Sequence, residues 1–319
     1  MHSTPGIRPC PAPLVHARDA REAGMHLDLR DTAVRVRRGV YTSRMRWESL
    51  AEWDRYLVRV HAFALTRPEA VFSHESAAAL WGLPLFGHPR DIHIFDARRA
   101  RSLRYGDVVA HTSVDTRSSR MVDGIRTTTI TDTALDLIRC LSPAFALAVT
   151  DAALRSHPHD VSLEALRSIA ADQKNARGRA RIPWVLDRAD GRSESVGESV
   201  SRAVIEWCGF PAPELQQSHV VGGRTYRSDF SWPDAQLIGE SDGWAKYGEE
   251  VGEATRAIRA EKARENALSR AGWTLVRWDL AAALRGSDLR DALAGAGLRP
   301  VRRPDTARLL AIGHNPRSR

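Results

Sequence analysis

The 319-residue chain is poor in cysteine, in lysine and in long apolar segments. Its three cysteines, Cys10, Cys140 and Cys208, are too scattered to predict a disulfide framework or a zinc knuckle. A run of about 18 apolar residues, as a membrane span requires, is absent, and the first residues lack the apolar stretch of a signal peptide. We therefore expect a soluble, cytoplasmic protein that does not bind a membrane.

Basic residues exceed acidic residues by 47 to 39, which gives a formal net charge of +8 and a pI near 10.0. This balance favours polyanions as partners, and DNA is the polyanion that we expect. The chain is long enough for two or three domains, each with its own apolar core.

The strongest chemical signal is a pair of acidic residues within apolar, strand-like segments. Asp229 stands directly before Phe230, and Glu240 follows Leu237-Ile238-Gly239. An unpaired carboxylate in a buried strand loses its hydration, so two such residues at the spacing of hairpin partners suggest a shared cation. Carboxylate oxygens suit Mg²⁺. The alternative is a structural pair satisfied by Arg202 or Arg227.

Hydrophobic patterning around this pair predicts six elements in the order helix, three strands, helix, strand, at residues 193–208, 215–221, 225–232, 236–241, 253–271 and 274–278. This order and the local sequence resemble the very-short-patch-repair-like endonuclease domains of the PD-(D/E)xK fold, which are common in actinobacterial proteins. The matching segments are Glu198-x-x-x-Arg202, Arg227-x-Asp229-Phe230-x-Trp232, Gly239-Glu240-x-Asp242-Gly243-x-x-Lys246-Tyr247, Glu261-Lys262-x-Arg264 and Gly272-Trp273-x-x-Val276-Arg277.

The resemblance implies a metal site formed by Glu198, Asp229 and Glu240, with Mg²⁺ or Mn²⁺ as the cofactor. In that class the metal holds the scissile phosphate and lowers the pKa of the attacking water. Strand alternation places Asp242 on the same face as Glu240, so Asp242 is a further candidate for the site. The implied activity is metal-dependent hydrolysis of DNA phosphodiester bonds.

One position departs from this family's signature, which has a lysine two residues after the glutamate, where this chain has Asp242. Only three of the 47 basic residues are lysines, at positions 174, 246 and 262. Two of the three fall inside the nuclease-like segments, and a lysine that persists in such an arginine-rich chain suggests a need for its compact ammonium group. Lys246 and Lys262 are therefore the candidates for the missing catalytic cation, although a solvated helix face explains Lys262 equally well.

The N-terminal part has a different pattern. Residues 34–41 alternate valine with arginine and then turn at Gly39, as in a strand that packs on helices while offering cations to phosphates. With a helix over 53–66, this segment resembles the winged-helix domain of AbiEi-type antitoxins, closely over residues 10–85 and more loosely over 86–155. The resemblance implies DNA contacts from Arg35, Arg37 and Arg38, for which a solvated strand face is the alternative.

The predicted organisation is an α+β multidomain protein. It comprises a winged-helix DNA-binding domain at 1–85, an α+β middle segment at 86–172, a linker at 173–192, a restriction-endonuclease-like α/β domain with the PD-(D/E)xK fold at 193–297 and a disordered basic tail at 298–319. The middle segment, with strands predicted at 91–95, 108–112 and 125–130, offers no chemical constellation. His74 and Glu75 are interpreted as residues that pack or bond locally at a helix start.

These patterns favour a metal-dependent DNA endonuclease with an N-terminal DNA-binding module. Two other classes of function stay open. The first is a transcriptional regulator or type IV antitoxin-like protein whose nuclease fold has lost catalysis, which Asp242 at the lysine position favours. The second is a structural or interaction protein, which the positive charge and the arginine-bearing strand disfavour.

Overall fold

The computed structural model describes residues 6–24, 31–242 and 251–315, with the backbone but not the side chains of 251–258. The chain divides into two compact units, which are described separately. The first unit contains the residues up to Leu141, together with His157–Pro183 and Asn315, and the second contains Ser142–Ser156 and Trp184–His314. Each unit combines helices with at least one sheet, so the chain is a mixed α+β, multidomain protein.

The first unit opens with a three-stranded antiparallel sheet in the order β1-β3-β2. Its elements are β1 (Val15–His16), α1 (Ala17–Glu22), β2 (Ala33–Arg37), β3 (Val40–Ser43), α2 (Arg44–Ser49) and α3 (Glu52–Thr66). The strand and turn predicted at 34–41 are present as the β2–β3 hairpin, whose turn contains Gly39 at φ +78°. The helix predicted at 53–66 is confirmed as α3, whereas the predicted winged-helix fold as a whole stays a prediction.

A six-stranded mixed sheet follows in the order β6-β7-β5-β4-β9-β8. Its strands are β4 (Val71–Phe72), β5 (Ile92–Phe95), β6 (Leu103–Tyr105), β7 (Val108–His111), β8 (Ser119–Val122) and β9 (Ile125–Thr128). Three of them confirm the strands predicted in the middle segment. Further helices of this unit are α4 (His74–Trp81), α5 (Ile130–Cys140) and α7 (Leu163–Asp172), of which α4 and α5 are almost entirely buried.

The second unit is built on a four-stranded sheet in the order β10-β11-β12-β13, antiparallel except for the last, parallel pair. Its elements include α6 (Pro143–Ser156), α9 (Val196–Trp207), β10 (Glu214–Val221), β11 (Arg224–Trp232), β12 (Leu237–Asp242), α10 (Val251–Arg270), β13 (Thr274–Asp279), α11 (Leu280–Arg285), α12 (Ser287–Gly295) and α13 (Thr306–Leu310). The predicted order of helix, three strands, helix, strand is confirmed, while membership of the PD-(D/E)xK fold stays a prediction.

Helix α9 joins the sheet of the second unit to α6. Ser195 caps α9 by accepting the backbone N–H of Glu198, and Val200, Val204 and Ile205 point into the core. On the α6 side, Asp151 accepts hydrogen bonds from Ser199 Oγ at 2.7 Å and from Arg202 Nη1 at 3.0 Å. The arginine proposed as a partner for the acidic pair therefore binds a different carboxylate.

The segment at 173–192 was predicted to be a linker, but it is anchored to the folded chain. It contains a 3-10 turn (Arg179–Arg181) and α8 (Ile182–Leu186). Within the first unit, the buried guanidinium of Arg139 donates to Gln173 Oε1 and to the carbonyls of Asn175 and Arg177. Gln173 and the backbone of this segment thus bind the folded protein, while Lys174, Arg177, Arg179 and Arg181 are exposed.

The residues after 298 do not form the predicted disordered tail, at least as far as His314. Backbone N–H groups of Val301 and Asp305 donate to the carbonyls of Gly209 and Trp207, each at 2.8 Å. The guanidinium of Arg308 lies 4.9 Å from the centre of the Trp184 ring. Charge composition suggested disorder, but aromatic surface and free backbone groups at the end of α9 hold this segment. Among the described residues, no helix is both long and apolar enough to cross a membrane.

The core of the second unit depends on a close approach between β12 and an indole. A Cβ atom added at Gly239 would lie 2.5 Å from Trp278 Cη2. This ring has little freedom to move, because its Nε1 donates to Ser201 Oγ at 2.8 Å and it stacks on Phe230 at 5.5 Å. We therefore expect Gly239→Ala to lower the free energy of unfolding by about 1–3 kcal/mol in urea titrations.

Gly295→Ala is the matched control, since Gly295 ends α12 and a Cβ atom added there would have no neighbour within 4 Å. It should leave the stability unchanged or raise it by up to about 1 kcal/mol through helix propensity. Equal effects of both substitutions would contradict the proposed contact with Trp278.

Candidate functional site

Three acidic side chains predicted as metal ligands approach one another in the second unit. Glu198 lies in the first turn of α9, Asp229 on β11 and Glu240 on β12. The pKa of Asp229 is raised to about 6, chiefly by burial and also by the negative charges of Glu198 and Glu240, against the lowering effect of the Ser241 backbone N–H. The three residues are therefore near enough to interact electrostatically.

Glu240 is held by two arginines from neighbouring elements. Its Oε1 accepts a hydrogen bond from Arg264 of α10, and its Oε2 accepts from Arg277 Nε of β13 at 3.1 Å. Arg277 also contacts Glu261, and its Nη1 lies 2.9 Å from Glu265 Oε1. Both carboxylate oxygens of Glu240 are thus occupied by guanidinium groups within a larger ion-pair network.

Arginines do bind one of the acidic residues, Glu240, but they are not the two that the sequence suggested, Arg202 and Arg227. Arg202 binds Asp151, and Arg227 Nη2 binds Glu194 Oε2 at 2.7 Å, so neither of them pairs with the acidic cluster. The partners of Glu240 come instead from α10 and β13, which are distant in sequence. Helical spacing contained a signal for Arg264, because Glu261, Arg264 and Leu268 share one face of α10.

Glu198 has a different environment. Its Oε2 accepts the backbone N–H of Glu194 at 2.8 Å and the side-chain amide of Gln216 at 2.9 Å. Gln216 has φ +53° and lies on β10 between Leu215 and Gln217, which pair with β11 in one continuous register, while Gln216 itself has no pairing in that register. Its Oε1 and the nearby Ser241 Oγ are buried without a hydrogen-bond partner among the described residues. A strand pattern gives no signal for such a left-handed backbone position, so Gln216 was missed.

This arrangement does not fit the predicted set of metal ligands. Glu198, Asp229 and Gln216 Oε1 offer oxygen atoms of the kind that Mg²⁺ prefers, but both oxygens of Glu240 already bind guanidinium groups. Within the described ranges, no group of three or more histidine, cysteine, aspartate or glutamate residues has a spacing that holds a metal ion.

The remaining candidates for catalysis have separate outcomes. Asp242 is exposed at the end of β12, and Lys246 lies outside the described residues. Lys262 is exposed on α10, whereas Arg264, two residues later, contacts Glu240. The α10 side chain that contacts the acidic cluster is therefore an arginine, Arg264, whereas the scarcity of lysine had directed attention to Lys262.

The three arginines predicted to bind DNA have different surroundings. Arg35 and Arg38 are exposed on the β2–β3 hairpin. Arg37 instead donates to Asp107 Oδ2 at 3.0 Å and lies 4.5 Å from the centre of the Phe63 ring. Burial would raise the pKa of Asp107, but the hydrogen bonds and charges of Arg37 and Arg59 hold it below its usual value. Arg37 is a structural residue of the first unit.

Comparisons with known proteins locate the family relationship in the middle of the chain. Residues 69–188 match the family described as the AbiEi antitoxin C-terminal domain. This range overlaps the AbiEi resemblance, which was assigned closely to residues 10–85 and more loosely to 86–155, and it extends beyond it to residue 188. It covers the segment in which the sequence indicated no chemistry. No solved structure matches the chain.

Two curated relatives come from Mycobacterium tuberculosis: the uncharacterised protein Rv2248 of strain H37Rv and the uncharacterised protein MT2308 of strain CDC 1551. Each is 35% identical over 202 residues, which is 63% of this chain and 71% of the relative. The chain's residues 69–188 match the AbiEi antitoxin C-terminal domain, and the chain belongs to the same family as these mycobacterial proteins.

Proposed function

We propose that the protein is a DNA-binding regulator of the antitoxin type, in which the nuclease-like sheet of the second unit has a structural or binding role. The observation that carries this proposal is the match of residues 69–188 to the AbiEi antitoxin C-terminal domain. Purified protein should therefore bind duplex DNA and should not cleave it.

Charge and exposure support DNA as the partner. The net charge of +8 attracts a polyanion. Arg35 and Arg38 lie exposed on a hairpin of the first unit, where guanidinium groups can contact phosphates without disturbing the core. The proposed contacts are to the DNA backbone, so they contribute affinity and salt dependence rather than sequence recognition.

The environment of Glu240 supports a non-catalytic second unit. A nuclease would need its acidic oxygens available to a metal ion, but Arg264 and Arg277 bind both of them. Asp242 also occupies the position of the signature lysine. The Mg²⁺ or Mn²⁺ site of Glu198, Asp229 and Glu240, with endonuclease activity, stays a prediction that a cleavage assay tests.

Removing the two exposed hairpin arginines should weaken DNA binding and reduce its dependence on salt. Each phosphate contact contributes about 0.9 to the slope of log K against log salt, so Arg35→Ala with Arg38→Ala should reduce this slope by about 1.8. Fluorescence anisotropy of a labelled duplex over a salt series measures it. Arg285→Ala with Arg290→Ala, which removes two exposed arginines of the second unit, is the control of equal charge.

An unchanged slope in the hairpin variant would show that the hairpin does not touch DNA. An equal reduction in the control would show that only net charge matters, and that the DNA contacts are not located on the hairpin.

Loss of one partner of Glu240 should destabilise the second unit. The Glu240 side chain is only 11% exposed, and Arg277→Ala would leave Glu240 and Glu261 with Arg264 alone and would remove the arginine partner of Glu265. Breaking a buried pair in this way typically costs several kcal/mol, and we expect about 2–4 kcal/mol from urea unfolding. Arg290→Ala, which breaks an exposed pair with Asp291, should cost less than about 1 kcal/mol. Similar values for the two variants would show that the Glu240 network adds no stability.

A cleavage assay separates the regulator from the endonuclease. We expect no strand breaks in supercoiled plasmid or linear duplex with Mg²⁺, Mn²⁺ or chelator, because Glu240 is occupied by arginines. Asp229→Asn is the control for contaminating nucleases. Cleavage by the wild type that requires a metal ion and disappears in this variant would overturn the proposed function in favour of the endonuclease. Lys246→Ala and Lys262→Ala would then identify the catalytic cation.

A further inference from the structure

A polar cavity lies within the first unit, apart from both the hairpin and the acidic cluster. Its volume is about 170 Å³, well below the roughly 300–1,000 Å³ of pockets that enclose drug-sized ligands. It therefore suits a small chemical group rather than a whole cofactor. Its charged and imidazole-bearing lining residues are His74, His111, Arg117, Asp136, Arg139 and Arg177.

The charge of the lining favours an anion. Three arginines and one carboxylate line the cavity, and two further carboxylates, Asp115 and Asp132, lie outside the lining but act on Arg117. Arg177 is exposed at the opening, whereas Arg117 and Arg139 are buried. Hydroxyl groups of Ser102, Thr112 and Ser113 complete a wall of hydrogen-bonding groups. Arginine and hydroxyl side chains are common ligands of phosphate oxygens.

Asp136 provides a separate sign that the cavity receives a ligand. Its side chain is 4% exposed, and its Oδ1 accepts Arg117 Nε at 3.0 Å and Arg117 Nη2 at 2.8 Å. Its Oδ2 is buried, lies 4.0 Å from His74 Nδ1 and has no hydrogen-bond partner among the described residues. An unsatisfied buried acceptor costs about 1–3 kcal/mol, so a ligand hydroxyl that donates to Oδ2 would remove this cost.

Imidazole rings form another wall. His93 Nε2 lies 3.4 Å from Glu75 Oε2, and His93 Nδ1 lies 2.9 Å from His111 Nε2. The carboxylate favours the His93 tautomer with its proton on Nε2, so Nδ1 accepts the Nε2–H of His111. His74 stacks on His111 with ring centres 3.8 Å apart. The buried carboxylate of Glu75 thus orients the imidazole chain that reaches the cavity.

The backbone is strained where this wall begins. His74 has φ +50° at the first position of α4, a conformation that costs a side-chain-bearing residue about 1–3 kcal/mol. Ser73, the residue before it, makes no side-chain cap to the helix, and its Oγ lies 3.1 Å from His74 Nδ1. Strain of this kind is typical of binding sites, where it places a side chain that local preference would not place.

We infer that this cavity binds a small molecule that carries a phosphate group beside a hydroxyl group, as a sugar phosphate does. The phosphate oxygens accept hydrogen bonds from Arg177 and the hydroxyl-bearing side chains, and the ligand hydroxyl donates to Asp136 Oδ2. Any larger part of the ligand, such as a nucleotide base, stays outside the cavity. This binding is independent of the DNA contacts proposed for the hairpin.

Isothermal titration calorimetry of the full chain tests the inference with four probes: ribose 5-phosphate, adenosine 5′-monophosphate, inorganic phosphate and adenosine. Ribose 5-phosphate should bind, and adenosine, which lacks the phosphate, should not bind at up to about 10 mM. If adenosine 5′-monophosphate binds with the same affinity as ribose 5-phosphate, the ligand class includes nucleotides. If inorganic phosphate binds as tightly as ribose 5-phosphate, the inference that a ligand hydroxyl donates to Asp136 Oδ2 is wrong.

Arg177→Ala should lower the affinity for ribose 5-phosphate about tenfold, since it removes a charge-assisted contact made by an exposed side chain that the fold does not need. Arg179→Ala is the matched control, because Arg179 is exposed two residues away and does not line the cavity. Equal effects in the two variants, or no binding of any phosphate probe, would overturn the inference. Since these titrations contain no DNA, their failure would leave the DNA-binding proposal intact.

Discussion

Three of the buried carboxylates in the described part of this protein are held by arginine, and the packing of both units depends on these pairs. Arg117 binds Asp136 in the first unit, while in the second unit Arg202 binds Asp151 and Arg277 binds Glu240. A planar guanidinium group donates in two parallel directions and always carries its charge, so it can neutralise a carboxylate away from water. Removal of either partner leaves a buried charge without compensation, which costs more than the pair itself contributes.

Buried carboxylates whose charge is only partly compensated by partners are the candidates for functional residues. Asp136 uses one oxygen for Arg117 and has a second, buried oxygen without a hydrogen-bond partner among the described residues. Asp229 accepts the backbone N–H of Ser241, and burial together with Glu198 and Glu240 raises its pKa to about 6. Unpaired buried acceptors and carboxylates with a strongly shifted pKa are typical of functional sites.

The acidic cluster illustrates how residues that match a nuclease pattern can form part of a structural network. Its element order and its three acids resemble those of a metal-dependent nuclease. Arg264 and Arg277 nevertheless occupy the oxygens of Glu240 that a metal ion would need. The partners of this one carboxylate therefore favour the structural role.

Local patterns in the sequence were sufficient for the elements and for the approach of the acids. Alternating valine and arginine predicted the β2–β3 hairpin, and the helix, three strands, helix, strand order placed Asp229 and Glu240 on neighbouring strands. These predictions could be made from sequence because the period of side chains along a single strand or helix is visible in it. Arg37 was assigned to DNA contacts because its contacts with Asp107 and Phe63, which are distant in the chain, leave no signal in the local pattern.

Only the tertiary structure decided which charges meet. The cavity of the first unit collects His74, His111 and Asp136 from three separate elements, and none of their local patterns distinguishes them from packing residues. Lys262 and Arg264 are two positions apart, yet only the latter contacts Glu240, because a helix turns its neighbouring side chains to different faces. Sequence by itself determined the elements and the charge of this protein, whereas long-range packing determined the partner of each charge, since a side chain's partner depends on three-dimensional proximity.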